Sequence, residues 1–411
     1  MPPPKRRPRA AVLSPFVDKS HATERCVAEQ MERLAGEFEI HLYCSRVEDL
    51  DLSQITWHRV PIPPAPHLIR YVWFLAANGF CRWRDRTFRG LAPDVLYSPG
   101  VNCLKPDVVS VHVLFSKVRQ KLAKSLELRN NPMKAWPVTM HRRIYYRLAE
   151  YLEGKVYSRA ESTIVAVSQK AARDIETKHG EGVHPRVIYY GVDAKRFCSV
   201  RRMELRGRAR EALGMKEETF AILLIGNDWV NKGLPCLLEA VGMLRNPQIH
   251  ILVVGQDSLV AYRNSINRMG LDGKVSFLPL RNDVEFYYAA ADAYAGPSLE
   301  DTFSLPVAEA MACGLPVIVS RAAGVSEIIH HGEDGLVLEN PADARTLSEM
   351  IGRLCDDPAW RDKLGKAATV TAGKYTWERN ARELGEILNS IVVTRHSLPM
   401  GSSMADRTKG H

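Results

Sequence analysis

The sequence predicts an α/β protein made of two Rossmann-like domains. Three observations carry this. Short β-rich runs alternate with longer helical ones, as crossover helices between parallel strands require. The alternation runs once through each half of the chain. The 411 residues, 45% hydrophobic and 25% charged, suffice for two cores without disulfide or metal staples.

In the first half, Arg9–Leu13 predicts a strand, 23–35 a helix with an apolar stripe at Val27, Met31 and Leu34, and 39–43 a second strand. Residues 94–97, 108–111 and 163–167 predict further buried strands, the last leading into a helix that Ser168 caps. Segments 66–90 and 113–158 exceed a minimal crossover and are expected to be helical excursions. Beyond a linker containing 187–193, strands are predicted at 220–225, 249–255, 275–278, 293–296 and 316–320. Helices alternate with them at 233–244, 258–268, 283–290 and 305–313. The expected domains are 1–190 and 191–375, followed by a helix at 376–394 crossing back to the first domain. The tail at 395–411, rich in Ser, Gly and charge, is expected to be disordered.

Composition excludes several classes. The eight cysteines (Cys26, Cys44, Cys81, Cys103, Cys198, Cys236, Cys313, Cys355) form no C-x-x-C and have no neighbouring histidine pair, so neither zinc nor a disulfide framework is expected. A reducing, cytoplasmic setting fits them. The most apolar stretch, 71–80, falls short of the ~20 residues that span a bilayer. At the N-terminus, Pro15 and Asp18 break the short apolar run that a signal peptide would need, so a disordered tail and a first strand are expected there. The net charge of +9 is unevenly distributed. Residues 1–200 hold 32 basic and 20 acidic side chains, residues 201–411 hold 24 and 27.

The most informative segment is Pro297-Ser298-Leu299-Glu300-Asp301-Thr302-Phe303-Ser304-Leu305-Pro306-Val307-Ala308-Glu309-Ala310-Met311-Ala312-Cys313-Gly314, continuing into Leu315-Pro316-Val317-Ile318. It leaves a strand, passes through a polar turn, enters a helix with Pro306 near its start and stops at Gly314. Such a helix points free N–H groups into the crevice at the carboxyl edge of a parallel sheet, where a phosphate is favoured. Asp301 and Glu309 flank that anion site. Carboxylates repel phosphate, so they are suited to accept hydrogen bonds from neutral hydroxyls, a sugar on one side and a ribose on the other.

This segment resembles the E-x7-E signature of retaining glycosyltransferases of family 4, and the resemblance extends over most of the chain. Residues 187–193 with Phe197 are similar to the family's entry to its C-terminal domain. Gly226-Asn227-Asp228-Trp229-Val230-Asn231-Lys232-Gly233 resembles its phosphate loop, and residues 322–335 its G-G-x-x-E-I-I stretch. Tyr375-Thr376-Trp377-Glu378 is similar to the Y-S-W-E before its last helix. The resemblance implies GT-B architecture, two Rossmann-like domains facing each other across a cleft.

It further implies that Lys232 meets the diphosphate of a nucleotide sugar and that Glu309 accepts both ribose hydroxyls. Backbone N–H groups of Thr302, Phe303, Ser304 and Leu305 would hold phosphate oxygens. Either Asp301 or Glu300 would face the donor sugar. Gly226, Asn227 and Asn231 belong to the phosphate loop. His112 matches a strand-end histidine facing the transferred sugar or the acceptor, with a structural histidine as the alternative. Some positions depart from the pattern. Ser304 stands for the common glycine and Tyr190 for asparagine. Asn227 stands for an arginine, which leaves Arg281 or Arg321 as candidates for a second cation. The N-terminal loop, Ser20-His21-Ala22-Thr23-Glu24-Arg25, lacks the usual glycines, so with Asp18 and Lys19 it is expected to shape the acceptor side.

The implied reaction moves a sugar, with retention and without metal or other cofactor, from a nucleoside diphosphate sugar to a hydroxyl acceptor. UDP is favoured over GDP as the donor nucleotide. The departing phosphate takes the acceptor's proton. The basic excess follows the apolar run as Arg82, Arg84, Arg86 and Arg89, then Lys117, Arg119, Lys121, Lys124, Arg129, Lys134, Arg142, Arg143 and Arg147, opposed by Glu127. It suits an anionic membrane surface and a glycan or lipid-linked acceptor of cell-envelope type, such as lipopolysaccharide, at the inner face of the membrane; a solvated basic surface is the alternative. Nucleic acid is not expected, since no recognised motif or aromatic platform accompanies the charge. The rival reading is a GT-B protein that binds a nucleotide sugar without transferring it, or an epimerase or phosphorylase.

Overall fold

The computed structural model describes residues 6–119, 136–180 and 182–397. Lys121, Lys124, Glu127, Arg129 and Lys134 of the basic run, part of the expected excursion over 113–158, and residues 398–411 of the expected tail lie outside them.

The chain divides into two compact units. One comprises Met1–Val165, Glu181–Val183 and Ala381–His411, the other Ala166–Gly180 and His184–Asn380. The sequence suggested one boundary at 190. Instead the helix Gln169–His179 belongs to the second unit, for a local reason. Ser168 Oγ donates to the Thr302 carbonyl at 2.7 Å, and Glu327 accepts the N–H groups of Gln169 and Lys170 at 2.8 and 2.5 Å. Glu327 thereby satisfies two of the unpaired donors at that helix's start.

In the first unit the strands are β1 (Arg9–Leu13), β2 (Phe16–Val17), β3 (Glu39–Cys44), β4 (Arg46–Val47), β5 (Ile55–Arg59), β6 (Val95–Pro99), β7 (Val108–Val111) and β8 (Thr163–Ala166), with β9 (Arg186–Val187) next in the chain. Within this unit the main sheet has the order β5-β3-β1-β6-β7-β8, and β2 and β4 form a short separate pair. β1 runs parallel to both β3 and β6. The helices Ala22–Leu34, His67–Arg89 and Trp136–Tyr157 lie between strands. The first buries Val27, Met31 and Leu34, the stripe predicted from the sequence.

The second unit holds β10 (Phe220–Ile225), β11 (Ile249–Val254), β12 (Val275–Leu278), β13 (Ala293–Gly296), β14 (Val317–Ser320) and β15 (Leu336–Leu338), ordered β12-β11-β10-β13-β14-β15. All five pairings are parallel. Every residue of β10 is buried, as a central strand covered on both faces must be. Burial of its Ile and Leu side chains contributes about 2 kcal/mol each. In both sheets the strand order reverses beside the first strand, which makes a crevice between β1 and β6 and another between β10 and β13.

Elements that the sequence did not announce include β5, β15 and the helices Ser199–Ala212, Ala344–Asp356 and Pro358–Ala372. The last two carry readable starts, since Asp343 caps the Thr346 N–H and Asp357 caps the Trp360 N–H. The final helix, Trp377–Ser397, continues through 395–397, which were expected to be tail. Arg395 anchors it by donating to the Asp94 carbonyl at 2.9 Å and to both carboxylate oxygens of Asp107.

Gly233 precedes the helix Leu234–Leu244 at φ +80°, and a Cβ there would lie 2.0 Å from the Pro297 carbonyl oxygen. Gly90, at φ +63°, has nothing within 4 Å. Gly233→Ala is therefore expected to cost at least ~2 kcal/mol in chemical denaturation, well above the ~1 kcal/mol of Gly90→Ala.

Candidate functional site

The crevice between β10 and β13 is lined by the loop 226–233 and the loop 297–304, which are stitched together. Leu299 N–H donates to the Asn231 carbonyl at 2.7 Å, and Asn231 Nδ2 donates to the Glu300 carbonyl at 2.9 Å. Glycines permit the close approach. Besides Gly233, Gly226 stands at φ +146°, where a Cβ would meet Lys232 Cε at 2.7 Å, so the lysine stem lies across bare backbone. A Cβ on Gly255 would meet the Gly226 carbonyl oxygen at 2.3 Å.

Lys232 Nζ lies 2.5 Å from Asp301 Oδ2. Burial raises the Asp301 pKa, but the Lys232 charge and hydrogen bond, with help from the Phe303 N–H and the Ser304 hydroxyl, outweigh it and hold the carboxyl below its usual range. Glu300 turns to a different partner, Lys170 Nζ, which also meets Asp174 at 3.1 Å. The two adjacent acids, alternatives in the sequence, are thus separated by the structure. Asp301 joins Lys232, and Glu300 joins the helix Gln169–His179.

Beyond Asp301 the chain is pinned to a second turn. Asp301 N–H donates to the Ala322 carbonyl at 3.2 Å, Gly324 N–H to the Asp301 carbonyl at 3.1 Å, and Val325 N–H to the Phe303 carbonyl at 2.8 Å. Gly324 admits this, since a Cβ would meet the Thr302 carbonyl oxygen at 2.2 Å. The helix Leu305–Ala312 follows, with Pro306 in its first turn. Ser304 precedes it at φ 82°, ψ 74°, a conformation that costs an L-residue ~1–2 kcal/mol and that glycine adopts freely. Phe303 is fully buried and Leu305 nearly so, which holds the strained residue in place.

Glu309, one turn further on, is buried and accepts the Tyr288 hydroxyl at 2.7 Å. Tyr288 also reaches the Pro306 carbonyl, so it braces the helix on which Glu309 sits. Burial first, and the neighbouring Glu309 second, push its phenol pKa far up, which keeps it a hydrogen-bond donor. Tyr288 and Lys170 escaped the sequence reading, which took Ser168 only as a helix cap and Glu327 only as part of the 322–335 motif. The partners that tie them to the site lie 18 to 158 residues away, and no local pattern marks those pairings.

The remaining candidates fall elsewhere. Asn227, which stands where an arginine is usual, has a structural contact: its Oδ1 accepts the Gln256 N–H at 2.8 Å and braces the loop after β11. Arg281 donates to both oxygens of Asp283 at 2.7 and 2.8 Å and lies over the Phe286 ring, and Arg321 pairs with Glu339 at 2.6 Å. The proposed second cations are therefore each held by a nearby acid. His112 closes β7 in the first unit. Its Nε2 lies 2.8 Å from Ser110 Oγ, which meets Tyr97 Oη and, through it, Gln30. Burial lowers its pKa to about 4, so it is a neutral imidazole at pH 7. In the loop after β2, Asp18 is buried and accepts the N–H groups of Ser20 and His21 at 2.9 Å, and the His21 ring at 2.9 Å, while Lys19 pairs with Glu32. Among the described residues no three His, Cys, Asp or Glu side chains converge as metal ligands would.

The site thus combines a parallel-sheet switch point, a helix N-terminus, a lysine and two flanking carboxylates, and known proteins share its sequence and fold. Residues 23–196 match the family described as Glycosyltransferase Family 4, and residues 206–371 match Glycosyl transferases group 1. D-inositol 3-phosphate glycosyltransferase of an Arthrobacter species is 29% identical over 61% of each chain, and that of Corynebacterium kroppenstedtii 30% identical over 59% of this chain and 56% of its own. The chain thus spans about three fifths of the length of the curated relatives it matches. The fold is similar to WaaG, a glycosyltransferase of lipopolysaccharide biosynthesis (TM-score 0.73, 18% identity, 92% of this chain and 99% of that one). It is also similar to sucrose-phosphate synthase of Thermosynechococcus elongatus (0.74, 19%, 94% and 100%) and to Anabaena HepE solved with UDP-glucose (0.69, 20%, 92% and 99%). The two family models share out most of the chain between them and the fold is GT-B, so the chain belongs to glycosyltransferase family 4.

Proposed function

We propose that the enzyme transfers a sugar, with retention and without a metal ion, from a nucleoside diphosphate sugar to a hydroxyl of a glycan or lipid-linked acceptor. The observation that carries this is Lys232 Nζ poised on Asp301 beside the start of the helix Leu305–Ala312. A lysine already desolvated by a carboxylate can exchange it for a diphosphate, whose charge grows as the glycosidic bond opens. Donor binding then releases Asp301 toward the sugar hydroxyls, while Glu300 stays with Lys170 and takes no part. The N–H groups of Thr302 to Leu305 add a fixed dipole to the phosphate. Glu309, oriented by Tyr288, accepts the ribose hydroxyls. As the C1–oxygen bond breaks, its electron pair leaves with the diphosphate. The acceptor oxygen bonds to C1, and its proton passes to a phosphate oxygen on the same face.

A uridine donor is favoured, and UDP-glucose, bound by the similarly folded HepE, heads the donor panel. The acceptor panel pairs polyprenol-linked sugars with D-inositol 3-phosphate, for which the curated relatives are named. The basic excess of residues 1–200 supports work at the cytoplasmic face of a membrane. Tyr97, Ser110 and His112 keep a neutral imidazole at a strand end of the first unit, suited to hydrogen-bonding a sugar.

Nucleotide sugars screened by thermal shift, followed by radiolabelled transfer, test the assignment. Lys232→Ala is expected to lower transfer roughly 10²–10³-fold, and Glu309→Gln to raise the donor KM with a smaller loss of kcat. Full activity and an unchanged nucleotide shift in both variants would remove the site assignment. Ser304→Gly is expected to raise stability by about 1 kcal/mol, because the left-handed conformation no longer costs a Cβ clash. Denaturant melts check this, and a loss of stability would contradict it.

A further inference from the structure

The helix His67–Arg89 has an unusual surface. Its inward side consists of Phe74, Asn78, Cys81 and Asp85, spaced three or four residues apart. The opposite, solvent-facing side is not polar. Ile69, Val72, Trp73, Phe80 and Trp83 lie along it and are 52%, 46%, 49%, 60% and 53% exposed. The Phe80 and Trp83 rings lie 5.6 Å apart and those of Trp83 and Phe88 6.0 Å apart, so these three rings form a continuous patch. A solvated surface helix carries charge where these residues stand.

The charges lie on the flanks and have one sign. The helix holds Arg70, Arg82, Arg84, Arg86 and Arg89 against a single acid, and that acid, Asp85, is buried beneath Tyr43, His58 and Arg84. At 100° per residue, Arg70 and Arg84 fall to one side of the apolar stripe and Arg82 and Arg86 to the other. An aromatic stripe edged on both sides by guanidinium groups complements a surface that is apolar below and anionic above. That is the headgroup layer of a bilayer with acidic phospholipids, where Trp rings settle and Arg stems snorkel outward. A second copy of the chain offers no such match, since pairing the stripes would set arginine edge against arginine edge.

We propose that the helix His67–Arg89 lies flat in the surface of an anionic membrane, with Ile69, Val72, Trp73, Phe80 and Trp83 entering the acyl boundary and the arginines holding lipid phosphates. No helix among the described residues is long and apolar enough to cross a membrane, so the attachment is to one leaflet. This deepens the membrane-side reading above and rests on it for its purpose, but not for its chemistry.

The test uses the full chain and vesicles of phosphatidylcholine alone or mixed equally with phosphatidylglycerol. The protein is expected to sediment with the mixed vesicles, and much less with phosphatidylcholine or in high salt. Its tryptophan emission should shift to shorter wavelength on binding. Phe80→Ser/Trp83→Ser is expected to weaken partition about tenfold or more, and Arg70→Gln/Arg86→Gln by roughly tenfold on the mixed vesicles alone. Both pairs face solvent, so melting temperature and the nucleotide-sugar thermal shift should not change. Unaltered vesicle binding in both double variants would overturn the proposal. So would a wild-type dimer in light scattering that becomes monomeric in Phe80→Ser/Trp83→Ser, since the stripe would then cover a second copy. Failure of the transferase reading would show separately, as a missing donor shift in a protein that still binds vesicles.

Discussion

The ion pair between Lys232 and Asp301 is the interaction on which the site depends. Each partner comes from a loop that leaves one of two adjacent parallel strands, and the helices that follow carry the chain away from the crevice. The backbone stitches at Leu299 and Asn231 bring the loops together, and glycines at 226, 233 and 255 remove the side chains that would keep them apart. Without that approach the lysine would be an ordinary surface cation. With it, the lysine is partly desolvated, its charge answered by one carboxylate that a more highly charged ligand can displace. Desolvation raises the value of every charge at the site, and Arg281 and Arg321 are each held by an acid of their own.

The same economy explains the second acid and the strained serine. Asp301 and Glu300 are adjacent in sequence, yet successive side chains of an extended turn point apart, and each finds its own lysine. Only Asp301 shares the crevice with Lys232. Ser304 keeps a backbone conformation that glycine would hold at no cost, and it does so because Phe303 and Leu305 are buried on either side. What the serine adds is a hydroxyl that helps keep Asp301 ionised.

Much of this was legible in the sequence because the determining interactions are local. Hydrophobic runs such as Phe220–Ile225 announce central parallel strands, and the spacing from Asp301 through Pro306 to Glu309 announces a turn entering a helix. The partners of those residues were not legible. Tyr288 meets Glu309 and Lys170 meets Glu300 only because the chain returns, and nothing near Lys170 distinguishes it from its many basic neighbours. The tail reading failed at 395–397 for the same reason, since Arg395 is ordered by Asp107, far away in the chain. The apolar run 71–80 was noticed as too short to span a membrane. That its rings divide between a buried face and an exposed one needed the helix.

Residues 201–411 are nearly neutral, and residues 1–200 carry the basic excess, part of it as arginines edging an aromatic stripe. In the proposed function one lysine and a helix terminus serve the phosphates. In the proposed reaction Lys232 exchanges Asp301 for the diphosphate. Calorimetric titration of UDP, which has phosphates but no sugar, into the wild-type enzyme and Asp301→Asn tests it most directly. Removing the competing carboxylate should leave UDP binding as tight as in wild type or several-fold tighter. If Asp301→Asn instead loses UDP binding while its melting temperature holds, the carboxylate is part of the nucleotide site and the exchange does not occur.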